Sequence, residues 1–144
     1  RLNRNIGYAG ANNLALEGAQ GRHLCWINAD AEVLPGTLAA LARYLDDHPH
    51  AGAVTPCNVG TDGLPQWTLS PDHGLAMAWL RDSALHLLFP RLPLFANWSL
   101  PHFDFQSEQE IATTQTTCLL IRSESYEQVG GMDPTLFLFY NDVD

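Results

Sequence analysis

Basic residues are scarce in this 144-residue chain: seven Lys and Arg stand against sixteen Asp and Glu, a formal net charge of −9. That field repels polyanions, which excludes nucleic acid as a general partner, and an anionic small molecule needs a cation to settle here. Cysteine is scarce too. Cys25, Cys57 and Cys118 lie far apart in apolar or β-branched settings with no C-x-x-C. This argues against a zinc site or a disulfide framework and for three reduced structural thiols in a cytosolic protein. No uninterrupted run approaches the ~20 apolar residues of a membrane span, and there are no internal repeats. What is present is ordinary: 46% hydrophobic and 16% charged residues, enough at this length for one domain with a real core.

The first half alternates helix and strand. Ala11, Leu14, Ala15 and Gly18 fall at helical spacing, with Gly21 as a stop. Residues 23–28 form a continuous apolar run, the pattern of a strand covered on both faces in a parallel sheet. Pro35 opens the next helix, Leu38, Leu41, Ala42 and Leu45 form its buried stripe, and Pro49 closes it. A strand near 51–57 completes a strand–helix–strand unit. Asp62-Gly63 is a turn signal leading to a short strand at 66–69. A helix is expected over 73–89, then an irregular apolar excursion broken by Pro90, Pro93 and Pro101. Residues 113–122 read as one strand. Ser123 begins a short helix that Gly130-Gly131 ends. The fold class is α/β.

Three stretches carry chemistry. In LCWINADAEV (24–33) a buried strand ends in Asn28, Asp30 and Glu32, oxygen ligands at every second position. Open α/β sheets bind ligands at the carboxyl ends of their strands. A hard divalent ion such as Mg²⁺ takes one or two carboxylates there and completes its shell with phosphates and water. The bland alternative is a solvated loop whose acids serve the next helix's dipole. In RNIGYAGANN (4–13) a glycine-rich turn feeds a helix N-terminus, either a phosphate cradle or ordinary cap chemistry. In GGMDPTLFLFYNDVD (130–144) the apolar run from Phe137 to Tyr140 enters Asn141, Asp142 and Asp144. A carboxylate beside apolar surface has a raised pKa and suits a base toward a hydroxyl; acidic capping of a helix is the alternative.

In order and spacing the chain resembles the family-two glycosyltransferases of the GT-A fold, particularly their rhamnosyltransferase-like branch. The resemblance rests on five stretches: NIGYAGANN (5–13), INADAEVLPG (27–36), QTTCLLIR (115–122), VGGMD (129–133) and FLFYNDVD (137–144). It implies a GT-A-like, Rossmann-like, mostly parallel sheet flanked by helices and incomplete at both ends. On that expectation residues 1–144 are an internal piece of a longer protein, without the first nucleotide-binding strands or the segment after the acidic motif.

The resemblance further implies an inverting transferase moving a sugar, rhamnose in this branch, from a nucleotide-sugar donor to a hydroxyl of a glycan or lipid-linked cell-envelope acceptor. Asn28-Ala29-Asp30 stands at the family's D-x-D position, where Asp30 holds Mg²⁺ or Mn²⁺ against the donor diphosphate. Asn5, Gly7, Asn13 and Asn28 match donor-site positions, and Asp142 matches the catalytic base. Asn141 replaces the family's usual Glu and Thr116 its usual Gly; a bulkier Thr116 is expected to narrow the acceptor cleft. The apolar excursion, with Phe89, Leu92, Leu94, Phe95 and Trp98, reads either as peripheral membrane or lipid-acceptor contact or as a lid packed on its own domain. The location implied is cytoplasmic, at the inner face of the plasma membrane. Two other readings stay open: a non-catalytic nucleotide-sugar-binding relative, and a nucleotidyltransferase. No glycine-rich basic loop for a triphosphate is visible to favour the latter.

Overall fold

The computed structural model describes residues 2–66, 68–70 and 104–137. In chain order the elements are α1 (Gly7–Leu16), β1 (His23–Ile27), α2 (Thr37–Asp47), β2 (Ala53–Val54), β3 (Leu69–Ser70), β4 (Thr113–Thr114), β5 (Cys118–Arg122) and α3 (Ser123–Val129). They fall into two compact units, Arg1–Pro56 with Thr116–Asp144, and Cys57–Gln115.

The first unit is built on a three-stranded sheet in the order β1-β5-β2. Both flanking strands run antiparallel to β5, with Cys25 opposite Leu120, Ile27 opposite Cys118 and Val54 opposite Leu120. The expected parallel pairing is therefore absent among the described residues, for a topological reason. β1 and β2 do run in the same direction around α2, as a strand–helix–strand unit requires, but β5 is inserted between them. Periodicity within residues 23–57 carries no trace of a partner that arrives from residue 118.

Because side chains alternate across a strand, Cys118 and Leu120 share one face of the sheet. There they join Leu41 and Leu45 of α2 in the core, with Val33, Ala42, Ala51 and Val54 packed around them. Each fully buried Leu contributes about 1.5–3 kcal/mol relative to exposure. Leu38 of the expected stripe is 41% exposed, so the helix buries a narrower face than its pattern allows. Pro35 lies outside α2; Gly36, at φ 88°, makes the left-handed turn into it. On the opposite face Leu24 and Trp26 are buried, and the Trp26 ring meets Tyr126 of α3 at 5.5 Å between centroids. β1 thus alternates buried and exposed positions, with Cys25 and Ile27 exposed, rather than being covered on both sides.

The register of α1 also differs from expectation. It starts at Gly7, and its buried residues are Gly7 and Ala9, while Leu14 is 44% exposed. This helix is held by polar and backbone contacts. α3 ends as expected, with Gly130 and Gly131 both left-handed (φ 85° and 84°).

In the second unit Asp62-Gly63 forms the expected turn: the Leu64 N–H donates to Asp62 Oδ1 at 3.0 Å, and Val59 bridges Pro65. β3 pairs antiparallel with β4, and Asn58 Nδ2 donates to Thr68 Oγ1 at 3.0 Å. The strand expected over 113–122 is two strands. The Gln115 N–H bonds the Thr68 carbonyl in this unit, whereas the Thr117 carbonyl bonds the Asn28 N–H in the other, and a turn at Thr116-Thr117 separates them. The helix expected over 73–89 and the apolar excursion lie outside the described residues.

Candidate donor site

β1 does not stop at Ile27 by accident of composition. The Asn28 N–H reaches the Thr117 carbonyl at 3.0 Å, one step beyond the ladder, and the Asn28 carbonyl then takes the Ala31 N–H at 3.0 Å. The chain folds back over Ala29-Asp30 and leaves Asp30 exposed at the carboxyl end of the strand, while Val33 returns to the core. Asp30 is thus displayed on a backbone-bonded turn. Among the described residues no three His, Cys, Asp or Glu side chains gather as a metal cage. One displayed carboxylate with an amide neighbour suits an ion that takes most of its ligands from phosphate and water. It does not suit a structural zinc site.

At the N-terminus of α1 the second stretch is bonded within the protein. Asn5 Oδ1 accepts the Gly7 N–H at 2.9 Å, and the Tyr8 N–H donates to the Phe137 carbonyl at 2.9 Å. Two first-turn donors that a phosphate cradle needs are therefore committed within the protein. Gly7 is glycine for two reasons. Its φ is +81°, and a Cβ there would stand 2.8 Å from the Phe137 carbonyl oxygen.

Asn13 is engaged as well. Its Oδ1 accepts the Met132 N–H at 3.0 Å and the Tyr126 hydroxyl at 2.6 Å, and its Nδ2 donates to the Met132 carbonyl at 2.7 Å. Burial pushes the Tyr126 hydroxyl up from its ordinary pKa. Beyond Met132, Asp133 accepts the Thr135 N–H at 2.8 Å, and that backbone donor holds its carboxylate below the usual range. Asp142 lies outside the described residues.

Thr116 and Thr117 join these parts. The buried Thr116 hydroxyl lies 2.9 Å from the Tyr8 hydroxyl of α1, and the Thr117 carbonyl takes the Asn28 N–H of the β1 end. Consecutive residues of one turn hold both the glycine-rich entry to α1 and the acidic end of β1, while α1 in turn holds Phe137. Sequence reading missed Tyr8 and Thr117 as site residues. Thr116 was legible as a departure from the family pattern, yet its partner 108 positions upstream was not.

The convergence of these stretches within one unit is accompanied by a match along the chain. Residues 1–130 fit the family model described as Glycosyl transferase family 2. The chain belongs to this family. Two relatives from Mycobacterium tuberculosis, strains CDC 1551 / Oshkosh and ATCC 25618 / H37Rv, are each 28% identical over 117 residues, which is 81% of this chain and 38% of theirs. Both are named N-acetylglucosaminyl-diphospho-decaprenol L-rhamnosyltransferase. The chain spans less than half the length of these relatives. No solved structure gives a significant match. Among the described residues no helix of this family-2 member is long and apolar enough to cross a membrane.

Proposed function

We propose that this protein carries the donor side of an inverting glycosyltransferase, moving a sugar from a nucleoside-diphosphate sugar to a hydroxyl of a lipid-linked glycan or cell-envelope polysaccharide. The observation that carries the proposal is the turn at Thr116-Thr117, to which both the entry to α1 and the Asp30 turn are bonded. Family membership and the names of the mycobacterial relatives support the reaction class and favour rhamnose as the sugar and a polyprenyl diphosphate as the acceptor carrier. The proposed work site is the cytoplasmic face of the plasma membrane.

In this reading Asp30 would hold Mg²⁺ or Mn²⁺ against the donor diphosphate, Asn28 lies beside the donor, and Asn5 and Gly7 shape the neighbouring backbone. A bound divalent ion supplies the positive charge that a protein of net charge −9 lacks and stabilises the departing diphosphate. Asp142 takes the proton from the acceptor hydroxyl as its oxygen attacks the anomeric carbon opposite the phosphate. The new C–O bond forms as the bond to phosphate breaks, the configuration inverts, and no covalent enzyme intermediate is needed.

The test is transfer of radiolabelled sugar into a bacterial polyprenyl-lipid extract by the protein expressed from its full reading frame. Asp142→Ala is expected to lower turnover about 10²–10⁴-fold, the usual share of base catalysis, with donor affinity unchanged. An equal loss of donor affinity and turnover would remove Asp142 from the role of base.

A further inference from the structure

α1 touches the segment that leads into the acidic motif at two places, and both contacts explain why particular residues are what they are. At one end the Tyr8 N–H holds the Phe137 carbonyl, with Gly7 bare because any Cβ would strike Phe137. At the other end Asn13 pairs with both backbone groups of Met132, at 3.0 and 2.7 Å. Only a carboxamide presents an acceptor and a donor side by side in this way; Asp lacks the donor, and Gln is one carbon too long. The Met132 N–H must donate, so it fixes the amide orientation, and Tyr126 fills the second lone pair of Oδ1. Gly131 completes the fit: its φ is +84°, and a Cβ would lie 3.0 Å from both Asn13 Oδ1 and the Tyr126 hydroxyl.

We infer that Asn13 is a positioning residue rather than a donor contact: with the Tyr8 N–H it clamps residues 132–137 to α1 and so sets where the acidic stretch after Phe137 departs. Its bearing on catalysis rests on the glycosyltransferase reading above, while the clamp itself does not. The lone pairs of its carboxamide oxygen are already spent on the protein, and its Nδ2 is held by a short bond to Met132. A glycine-and-asparagine stretch that looks like a ligand cradle thereby acts as one jaw holding another loop.

The experiment compares wild type, Asn13→Ala, Asn13→Asp and Tyr126→Phe in the protein expressed from its full reading frame. It follows amide hydrogen exchange over residues 131–137, with α2 as control, and measures donor Kd, donor KM and kcat. Losing three hydrogen bonds, Asn13→Ala is expected to speed exchange over 131–137 about tenfold or more, leaving α2 unchanged. Donor Kd and KM stay within about twofold while kcat falls about 10–100-fold, a misplacement effect. Tyr126→Phe keeps both bonds to Met132 and is expected to speed exchange over 131–137 less than Asn13→Ala. If Asn13→Ala also loosens α2, it has unfolded, and Asn13→Asp, which keeps the acceptor but turns an oxygen rather than a donor toward the Met132 carbonyl, then carries the comparison. Unchanged exchange over 131–137 overturns the clamp, and so does a weakened donor Kd with unchanged kcat. A wild type that neither binds donor nor transfers sugar refutes the function, and the exchange result then decides the clamp alone.

Discussion

Cys25 shows how one residue reads differently from its neighbours once the sheet is assembled. It stands opposite Leu120, on the face that also carries Cys118. Burial, with the Cys118 thiol beside it, pushes its own thiol up to about 11 from an ordinary 9.0. A folded-state value raised above the unfolded one gives stability that is fully present below pH 9 and is lost as pH rises toward 11. Denaturant titrations between pH 8 and pH 11 are therefore expected to show falling stability, and Cys25→Ser to flatten part of that fall. Both Cys25 and Cys57 are exposed, yet at pH 9 iodoacetamide is expected to label Cys57 before Cys25, because the raised thiol leaves Cys25 little thiolate. Equal labelling of the two would contradict the raised Cys25 thiol. All three cysteines are free thiols in the structure, with none in a disulfide. His23 sits with its Nε2 3.6 Å from an Asp46 carboxylate oxygen that also holds Arg22 at 3.1 Å.

Between elements, the contact that sequence reading passed over is Arg122. It ends β5 and turns its guanidinium onto the carboxyl end of α2: Nε donates to the Ala51 carbonyl at 2.9 Å, and Nη2 donates to the Leu45 and His48 carbonyls. A cation on a helix C-terminus satisfies orphan carbonyls and opposes the negative end of the dipole. Arg122→Met is expected to cost about 1.5–3 kcal/mol, the range for hydrogen bonds to a charged group. The midpoint of urea unfolding should fall with an unchanged slope; an unchanged midpoint would show that solvent replaces these bonds without loss. The same pair of elements marks what sequence can and cannot carry. β1, α2 and α3 were legible because Leu41 and Leu45 repeat at helical spacing, residues 24–27 are uniformly apolar, and Gly130-Gly131 stop a helix on their own. Those are local signals. The insertion of β5 between β1 and β2, the break at Thr116-Thr117 and the true face of α1 depend on partners about a hundred positions away, and α1 buries only Gly7 and Ala9, which print no apolar stripe. Near the candidate site, the exposed position of Asn28 and Asp30 just past β1 was legible in the apolar run that precedes them. The engagement of Asn13 by Met132 and Tyr126 was not, because an asparagine has the same appearance whether it faces a ligand or a loop.

At the scale of the molecule the governing quantity is the net charge of −9. A nucleoside diphosphate approaches such a surface against its field, and no described cluster of basic side chains offsets it: Arg22 is paired with Asp46 and Arg122 is spent on α2. Binding of the donor is therefore expected to depend on a divalent ion held at Asp30, exposed just past the end of β1. The most direct measurement is titration calorimetry of dTDP-, UDP- and GDP-sugars into the protein expressed from its full reading frame, with and without Mn²⁺, beside Asp30→Ala. The expected result is binding of one nucleotide class that requires the ion and disappears in Asp30→Ala. Donor binding that is indifferent to Mn²⁺ and to Asp30→Ala, or no binding to any donor by a folded protein, would contradict it.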